Sequence, residues 1–224
     1  MKYSIEGGNL PILRVKLDRG ESVFNESGSM AWMSPHIKMD TSTRGGFLKG
    51  LARSFSGESL FLNVYTSQDD NQEIAFATNL PGEIKAMEID RPMIFQKGAF
   101  LCAEDSVKLE VAFTKKFSAG LIGGEGFILQ KVTGRGTAFF EIDGCLTEME
   151  LAPGEEMLVD QGHVAYFDES VKYEITSVKG IKNMFFGGEG MFLVKLRGPG
   201  RIGLQSLPIR NLAGSIFSLA PNNK

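Results

Sequence analysis

Two glycine-rich stretches of this chain have the composition of a loop that cradles a phosphate. They read GGEG at 123–126 and at 187–190, and a divergent copy, SGES, occurs at 56–59. A phosphate loop presents backbone N–H groups to the anion at the start of a helix. Each stretch would therefore be a nucleotide-binding element if a helix followed it.

The residues after the glycines predict strands instead of helices. FILQKVTG and MFLVKLRG follow the two GGEG stretches, and each runs into a further glycine turn. Neither a GK[ST] element nor strand–helix–strand spacing accompanies them. We therefore interpret the glycines as residues of tight turns or bulges, where positive φ or close backbone approach is needed.

One carboxylate recurs within these stretches. Glu58, Glu125 and Glu189 hold the same position in the three copies. In the simpler interpretation, each glutamate accepts hydrogen bonds from backbone N–H groups of its own turn. Alternatively, the three converge on one cation or ligand site, because clustered carboxylates repel one another unless a cation, protons or amide donors compensate.

Other residues with catalytic or metal-binding chemistry lack a supporting pattern. The histidines, His36 and His163, fall at different places relative to the repeated glycines, and no CxxC or HxH spacing suggests zinc. No G-x-S-x-G nucleophile elbow occurs. We therefore predict no catalytic residues, no metal site and no cofactor.

Trp32 aligns with Cys102 and Tyr166, and we expect Trp32 to lie in the core or between sheets and Cys102 to be a small buried hydrophobe.

The segments that lead into the three glycine stretches mix large apolar residues with cations. Pseudo-symmetry would place these loops, 44–56, 113–123 and 177–187, at one end of the domain. There they could contact a protein partner or a membrane surface. Alternatively, the apolar residues cap the core while the cations extend to water, or the patch is a subunit interface. The residues of this predicted interaction surface are Phe47, Lys49, Arg53, Lys115, Lys116, Phe117, Lys179, Lys182 and Phe185.

These elements belong to an internal repeat. Nine residues separate a glycine from a β-branched residue in each copy: Gly28 and Ile37, Gly98 and Val107, Gly162 and Val171. We place the repeats at approximately 14–80, 84–142 and 146–208, followed by a C-terminal tail at 209–224. The sequence correspondence between the three copies is weakest in the second copy, which has Pro92–Met93 where the others have Gly20–Glu21 and Gly154–Glu155.

Short apolar and β-branched runs, interrupted by Gly, Asn, Asp or Pro, predict many antiparallel strands. One repeat cannot close its own hydrophobic face, whereas three packed around an axis can. The predicted fold class is all-β: a single domain of three internal repeats that forms a pseudo-threefold antiparallel β-sandwich or prism. It would be similar to a double-stranded β-helix, with at most one or two short helices.

Composition narrows the range of partners. With 24 basic and 27 acidic residues, the net charge of −3 provides no overall field for nucleic acid or an anionic membrane. Two cysteines are too few for a disulfide framework and suit a reducing compartment. No run reaches the ~20 apolar residues of a transmembrane helix, and the first residues lack the apolar region of a signal peptide. We therefore expect a cytoplasmic protein.

Motifs along nearly the whole chain resemble one family. They include GSMAWMSP, LPGEI, LVDQGHVAYF and both GGEG segments with their following strands. In combination they are similar to the altered-inheritance-of-mitochondria (mitochondrial biogenesis) family, whose bacterial branch is uncharacterised. The resemblance implies a β-rich fold related to the tryptophan RNA-binding attenuation protein-like group, and it supplies no catalytic residues. Eukaryotic relatives act in mitochondrial inner-membrane organisation, a role that is not transferred because no mitochondrial targeting segment is recognised.

We expect a non-enzymatic binding or assembly module that interacts through the basic and apolar loops. Homo-oligomers are expected as well, because exposed sheet edges and an apolar surface need cover. One alternative is a small-molecule or cation-binding protein, or a hydrolase, that uses the repeated glutamates. The other is an RNA-binding protein with bases stacked between aromatics and cations, which the acidic balance disfavours.

Overall fold

The computed structural model describes residues 1–26, 28–42, 62–115, 127–177 and 192–219. Within these ranges the chain forms nineteen β-strands, one α-helix and one 3-10 turn. The prediction of a single all-β domain with very few helices is confirmed.

The strands of the first part of the chain are β1 (Lys2–Glu6), β2 (Ile12–Leu17), β3 (Ser22–Glu26), β4 (Met30–Met33), β5 (Ile37–Ser42), β6 (Leu62–Ser67) and β7 (Gln72–Ala77). The middle part contributes β8 (Gly82–Ile89), β9 (Met93–Gln96), β10 (Phe100–Glu104), β11 (Val107–Lys115), β12 (Phe127–Gly134) and β13 (Gly136–Asp143). The last part contributes β14 (Leu146–Leu151), β15 (Glu156–Asp160), the 3-10 turn (Gln161–His163), β16 (Val164–Asp168), β17 (Lys172–Ser177), β18 (Phe192–Arg197), β19 (Gly200–Gln205) and the helix α1 (Ile209–Ser218).

Helix α1 occupies most of the segment that was predicted to be a C-terminal tail. It is 10 residues long. Among the described residues, no helix has the length and the apolar character needed to cross a membrane.

The strands form four antiparallel sheets. Sheet 1 has the order β1-β2-β7-β4, and sheet 2 has the order β5-β6-β3-β10-β13-β8. Sheet 3 has the order β11-β12-β9-β16-β19-β14, and sheet 4 has the order β15-β18-β17.

Side chains along an outer strand alternate between buried and exposed positions. In β2, Leu13, Val15 and Leu17 are fully buried, while Arg14 and Lys16 between them are more exposed. Successive side chains of a strand point to opposite faces, so one face of sheet 1 joins the core and the other meets water.

Three hydrophobic cores lie between successive sheets. Core 1 lies between sheets 1 and 2, core 2 between sheets 2 and 3, and core 3 between sheets 3 and 4. The two central sheets therefore contact a core on both faces. In β13, Phe139 belongs to core 1 and its neighbour Phe140 to core 2, which explains why this strand is a continuous apolar run.

The order of strand pairing recurs along the chain. In each of the groups β2–β7, β8–β13 and β14–β19, the first strand pairs with the sixth and the third also pairs with the sixth. The second and the fourth strands pair with the fifth. The predicted threefold arrangement and the repeat boundaries stay predictions, because a recurring pairing order does not by itself define a threefold axis.

One glycine is required because an aromatic ring of the neighbouring strand fills the space beside it. A Cβ atom on Gly203 of β19 would overlap Cε1 of Tyr166 in β16. The ring occupies the space of the missing side chain, and Tyr166 is thereby held in core 2.

Candidate functional site

The residues predicted to form a binding site lie outside the described part of the chain. They are Glu58, Glu125 and Glu189 and, from the predicted interaction surface, Phe47, Lys49, Arg53, Lys116, Phe117, Lys179, Lys182 and Phe185. Lys115 is the last residue of β11, and its side chain is likewise outside the description. The roles of all these residues stay predictions.

The histidines and the buried cysteine form no reactive group. His36 Nδ1 lies 3.9 Å from Asp69 Oδ2 on the surface, whereas His163 Nδ1 lies 2.7 Å from the backbone oxygen of Gln205. Cys102 is fully buried, as predicted. In the described ranges, no group of three or more His, Cys, Asp and Glu side chains is arranged to hold a metal ion.

Two joints connect consecutive strand groups into continuous sheets. In joint 1, β3 pairs with β10, and Ala103 lies opposite Phe24. In joint 2, β9 pairs with β16, and Phe167 lies opposite Ile94. Both joints follow one rule, because the second strand of one group pairs with the third strand of the next group. A third joint made by the same rule would pair β15 with β4.

Strands β15 and β4 each end a sheet instead. In the strand order of the described residues, β15 pairs only with β18 and β4 only with β7. The buried residues of the described ranges define cores between sheets 1 and 2, 2 and 3, and 3 and 4, but none between sheets 4 and 1. Each of the two strands therefore presents an open edge with backbone groups available for pairing.

Backbone geometry shows that β4 is equivalent to β10 and β16. All three strands carry a bulge at the same point, between Met30 and Trp32, between Phe100 and Cys102, and between Val164 and Tyr166. The residue at or just after the end of each strand accepts a hydrogen bond from a backbone N–H of the neighbouring strand: Ser34 from Glu73 at 3.0 Å, Glu104 from Thr137 at 2.7 Å and Asp168 from Arg201 at 3.0 Å.

The exposure of Trp32 corrects the prediction of a core side chain. Trp32 is 44% exposed, although the equivalent residues Cys102 and Tyr166 are 0% and 1% exposed. The prediction was wrong because joints 1 and 2 cover those residues, whereas none of the described strands lies along the outer edge of β4. The indole Nε1 of Trp32 donates to Glu73 Oε1 at 3.2 Å.

Leu158 of β15 shows the same effect on the other open edge. It is 58% exposed, whereas Phe24 and Ile94, which hold the equivalent position in joints 1 and 2, are 1% and 7% exposed. An exposed tryptophan and an exposed leucine on strands that each end a sheet are characteristic of a surface that another strand covers.

A cavity of about 290 Å³ is the second feature of interest. Its lining comes from six places: the turn between β7 and β8, the turn between β9 and β10, the end of β13, the 3-10 turn, the end of β19 and the start of α1. The residues that line it are Asn79, Leu80, Gln96, Lys97, Gly98, Ala99, Glu141, Asp143, Gln161, Gly162, Gln205, Pro208 and Ile209.

Glu141 in the cavity wall is buried and already satisfied. Its Oε1 accepts from the backbone N–H groups of Asn79 at 2.7 Å and Leu80 at 2.9 Å, and its Oε2 accepts from Asn79 Nδ2 at 3.2 Å. This carboxylate therefore fixes the turn before β8.

Three other acceptors in the wall have no donor among the described residues. The side-chain oxygens of Gln96 and Gln161 are buried and without a hydrogen-bond partner. Among the described residues, no hydrogen bond to the Asp143 carboxylate is present either. An unsatisfied buried acceptor costs about 1–3 kcal/mol, so a molecule that donates hydrogen bonds here would remove a penalty.

Burial and the adjacent charge of Glu141 raise the pKa of Asp143 to about 6. Because the pKa is raised in the folded state, the unfolded chain loses the proton first as the pH rises. This carboxyl therefore favours the folded state at low pH, and its contribution is lost as the pH rises from about 4 to about 6. At neutral pH the Asp143 carboxyl is therefore mostly ionised.

Neither the open edges of β4 and β15 nor the cavity was identified from the sequence. The alignment of Trp32 with Cys102 and Tyr166 gave the position correctly, but it contains no information on whether a neighbouring strand is present. No sequence motif marks Asp143 and Gln161, because they belong to different strand groups and only the fold brings them together.

Comparisons with known proteins agree with this fold. The chain is 29% identical to an uncharacterized protein of Streptococcus pyogenes serotype M6, across 100% of this chain and 92% of that protein. The crystal structure of a Streptococcus pyogenes protein superposes with a TM-score of 0.78 at 26% identity, covering 98% of this chain and 99% of the other.

The predicted family resemblance is confirmed by a match over nearly the whole chain. Residues 3–207 match the family described as mitochondrial biogenesis AIM24. The match includes every described strand except the first residue of β1. The chain belongs to the mitochondrial biogenesis AIM24 family.

Proposed function

We propose that this protein is a non-enzymatic assembly module whose copies join through strand pairing between β15 of one copy and β4 of the next. The observation that carries the proposal is the pair of open edges. Two equivalent pairs of edges are joined within the chain, and the third pair has no partner in the described residues.

The two internal joints define the register of the third. Ala103 lies opposite Phe24 in joint 1, and Phe167 lies opposite Ile94 in joint 2. By equivalence, Met33 of one copy lies opposite Leu158 of the other. The neighbouring pairs are then Trp32 with Val159 and Ser34 with Met157, and the strands run antiparallel.

In this register the side chains of each copy extend a core of the other. Met33 packs against core 1, so Leu158 of the neighbouring copy would enter core 1 beside it. Val159 belongs to core 3, so Trp32 would cover core 3 of the neighbouring copy. Both side chains are already about half-buried, so burying the rest of each supplies less than the value of about 1.5–3 kcal/mol for a fully exposed apolar side chain.

The third joint is expected to end at Ser34. Just beyond the paired residues, Asp105 N donates to Ser22 O at 3.3 Å in joint 1, and Glu169 N donates to Pro92 O at 3.4 Å in joint 2. The equivalent residue in the first group is Pro35, which has no N–H to donate. The proline limits the length of pairing, as is common at the edges of natural sheets.

The assembly would be head-to-tail, because β15 and β4 are different surfaces of the same chain. Such heterologous contacts give a ring when the rotation closes and a filament when it does not. The composite sheet would have the order β17-β18-β15-β4-β7-β2-β1, which continues the pattern of sheets 2 and 3.

The loops 44–56, 113–123 and 177–187 remain a proposed surface for further protein or membrane-surface partners. Small-molecule binding is a second candidate function, which the cavity at Asp143 supports. We propose a non-enzymatic role for the loop surface and for the cavity alike.

The molar mass of the purified protein tests the assembly proposal. We expect light scattering after size exclusion to give a multiple of the mass of one chain, with the apparent mass falling on dilution. A mass of one chain at every concentration would contradict the proposal.

A further inference from the structure

We propose that the cavity at the ends of β13 and β19 binds a small organic cation through the N–H donors of an ammonium or guanidinium group. The inference is independent of self-assembly, since the cavity residues lie on neither β4 nor β15.

The hydrogen-bonding character of the wall determines which molecules fit. Gln161 is 9% exposed, lines the cavity and has an unpartnered side-chain oxygen. The side-chain oxygen of Gln96, which also lines the cavity, has no partner either. The Asp143 carboxylate adds a third acceptor. A ligand must therefore supply several donors, and a group that only accepts hydrogen bonds is disfavoured.

The charge of the wall favours a cation. Glu141 and Asp143 lie on the same strand two residues apart, and the charge of Glu141 acts on Asp143. Lys97 is the one cationic residue of the described lining, and its charge also acts on the half-buried Glu26 carboxylate. An ammonium or guanidinium group would form charge-assisted hydrogen bonds with Asp143 and also satisfy the glutamine oxygens.

The size of the cavity favours an organic molecule over a bare metal ion. A volume of about 290 Å³ accommodates a molecule with several heavy atoms, at the lower end of the range for small-molecule sites. A calcium ion requires six to eight oxygen atoms at about 2.3–2.6 Å, and two of the oxygens here, those of Glu141, are already used by Asn79 and Leu80. A short chain that carries a terminal cation fits the wall better.

Calorimetric titration with agmatine and putrescine tests the proposal, with tetramethylammonium and calcium chloride as comparison probes. We expect agmatine or putrescine to bind and to raise the melting temperature. Tetramethylammonium carries the same charge as a single ammonium group but has no N–H donor, so it should bind at least tenfold more weakly.

Variants separate this site from general attraction of cations to an acidic protein. Asp143→Asn should weaken binding about tenfold or more, because a charge-assisted hydrogen bond is replaced by a neutral one. Gln161→Met, which removes an acceptor and keeps the length of the side chain, should weaken it as well. Glu150→Gln, on exposed β14, is the matched control and should bind like the wild type.

Thermal melts of all variants establish that each is folded. Absence of binding by both agmatine and putrescine would overturn the proposal. So would equal binding to the wild type and to both cavity variants, equal binding of tetramethylammonium, or binding of calcium in place of the organic cations.

Discussion

Replacing Leu158 with glutamate is expected to convert the assembled protein into single chains. Leu158 is exposed on the open edge of β15 and, in the proposed joint, enters core 1 of the neighbouring copy. A carboxylate there would be buried without a partner, and charged residues on strand edges are a natural means of preventing pairing. Light scattering after size exclusion measures the change in molar mass.

Met39→Glu is the matched control for this variant. Met39 is also an exposed apolar residue on a strand that ends a sheet, but its strand, β5, takes no part in the proposed joint. We expect Met39→Glu to keep the mass of the wild type. The account would be wrong if Leu158→Glu kept that mass too, or if both variants lost it equally.

Replacing Phe95 with alanine is expected to destabilise the fold by about 3–5 kcal/mol, the usual cost of removing a buried phenylalanine side chain. Phe95 is fully buried in core 2. Its ring stacks on Phe140 at a centroid distance of 3.6 Å and lies 5.5 Å from Tyr166, across joint 2. The substitution therefore leaves a cavity where two sheets and two strand groups meet.

The control for this effect is Phe217→Ala in helix α1. Phe217 is 76% exposed, so its removal should change the free energy of unfolding by no more than about 0.5 kcal/mol. Urea denaturation at one fixed protein concentration measures both variants, because association adds to apparent stability. Similar losses for Phe95→Ala and Phe217→Ala would contradict the assignment of core 2.

The sequence predicted which segments form strands more successfully than it predicted which strands lie beside one another. The predicted short antiparallel strands are present, and in β2 the side chains of Leu13, Val15 and Leu17 alternate in burial with charged residues, as side-chain geometry within one strand requires. Trp32 and Cys102 were correctly aligned, but their burial differs because only β10 has a neighbouring strand group to cover it. Whether an edge is covered depends on contacts between distant segments, which local patterns do not contain.

The cavity could not be predicted for a similar reason. Glu141 and Asp143 look like ordinary polar residues at the end of an apolar strand. Their different roles arise from the turn at Asn79 and Leu80, which donates to Glu141 and not to Asp143. Gln161 reaches the same cavity from a different strand group.

Disulfide trapping between two single-cysteine variants tests the central claim most directly. Ser34→Cys and Met157→Cys would be prepared separately in a Cys145→Ser background, since Cys145 is exposed whereas Cys102 is buried. The proposed register places Ser34 of one copy opposite Met157 of the other, and side chains that face each other across paired strands are close enough for a disulfide.

If β15 of one copy pairs with β4 of the next, mild oxidation of the mixture gives a disulfide-linked dimer, whereas each variant alone gives little. A double variant, Ser34→Cys with Met157→Cys, should then give a ladder of linked chains. The contradicting result is a disulfide that forms only within single chains of the double variant, with no dimer in the mixture, since β15 and β4 would then pair within one molecule.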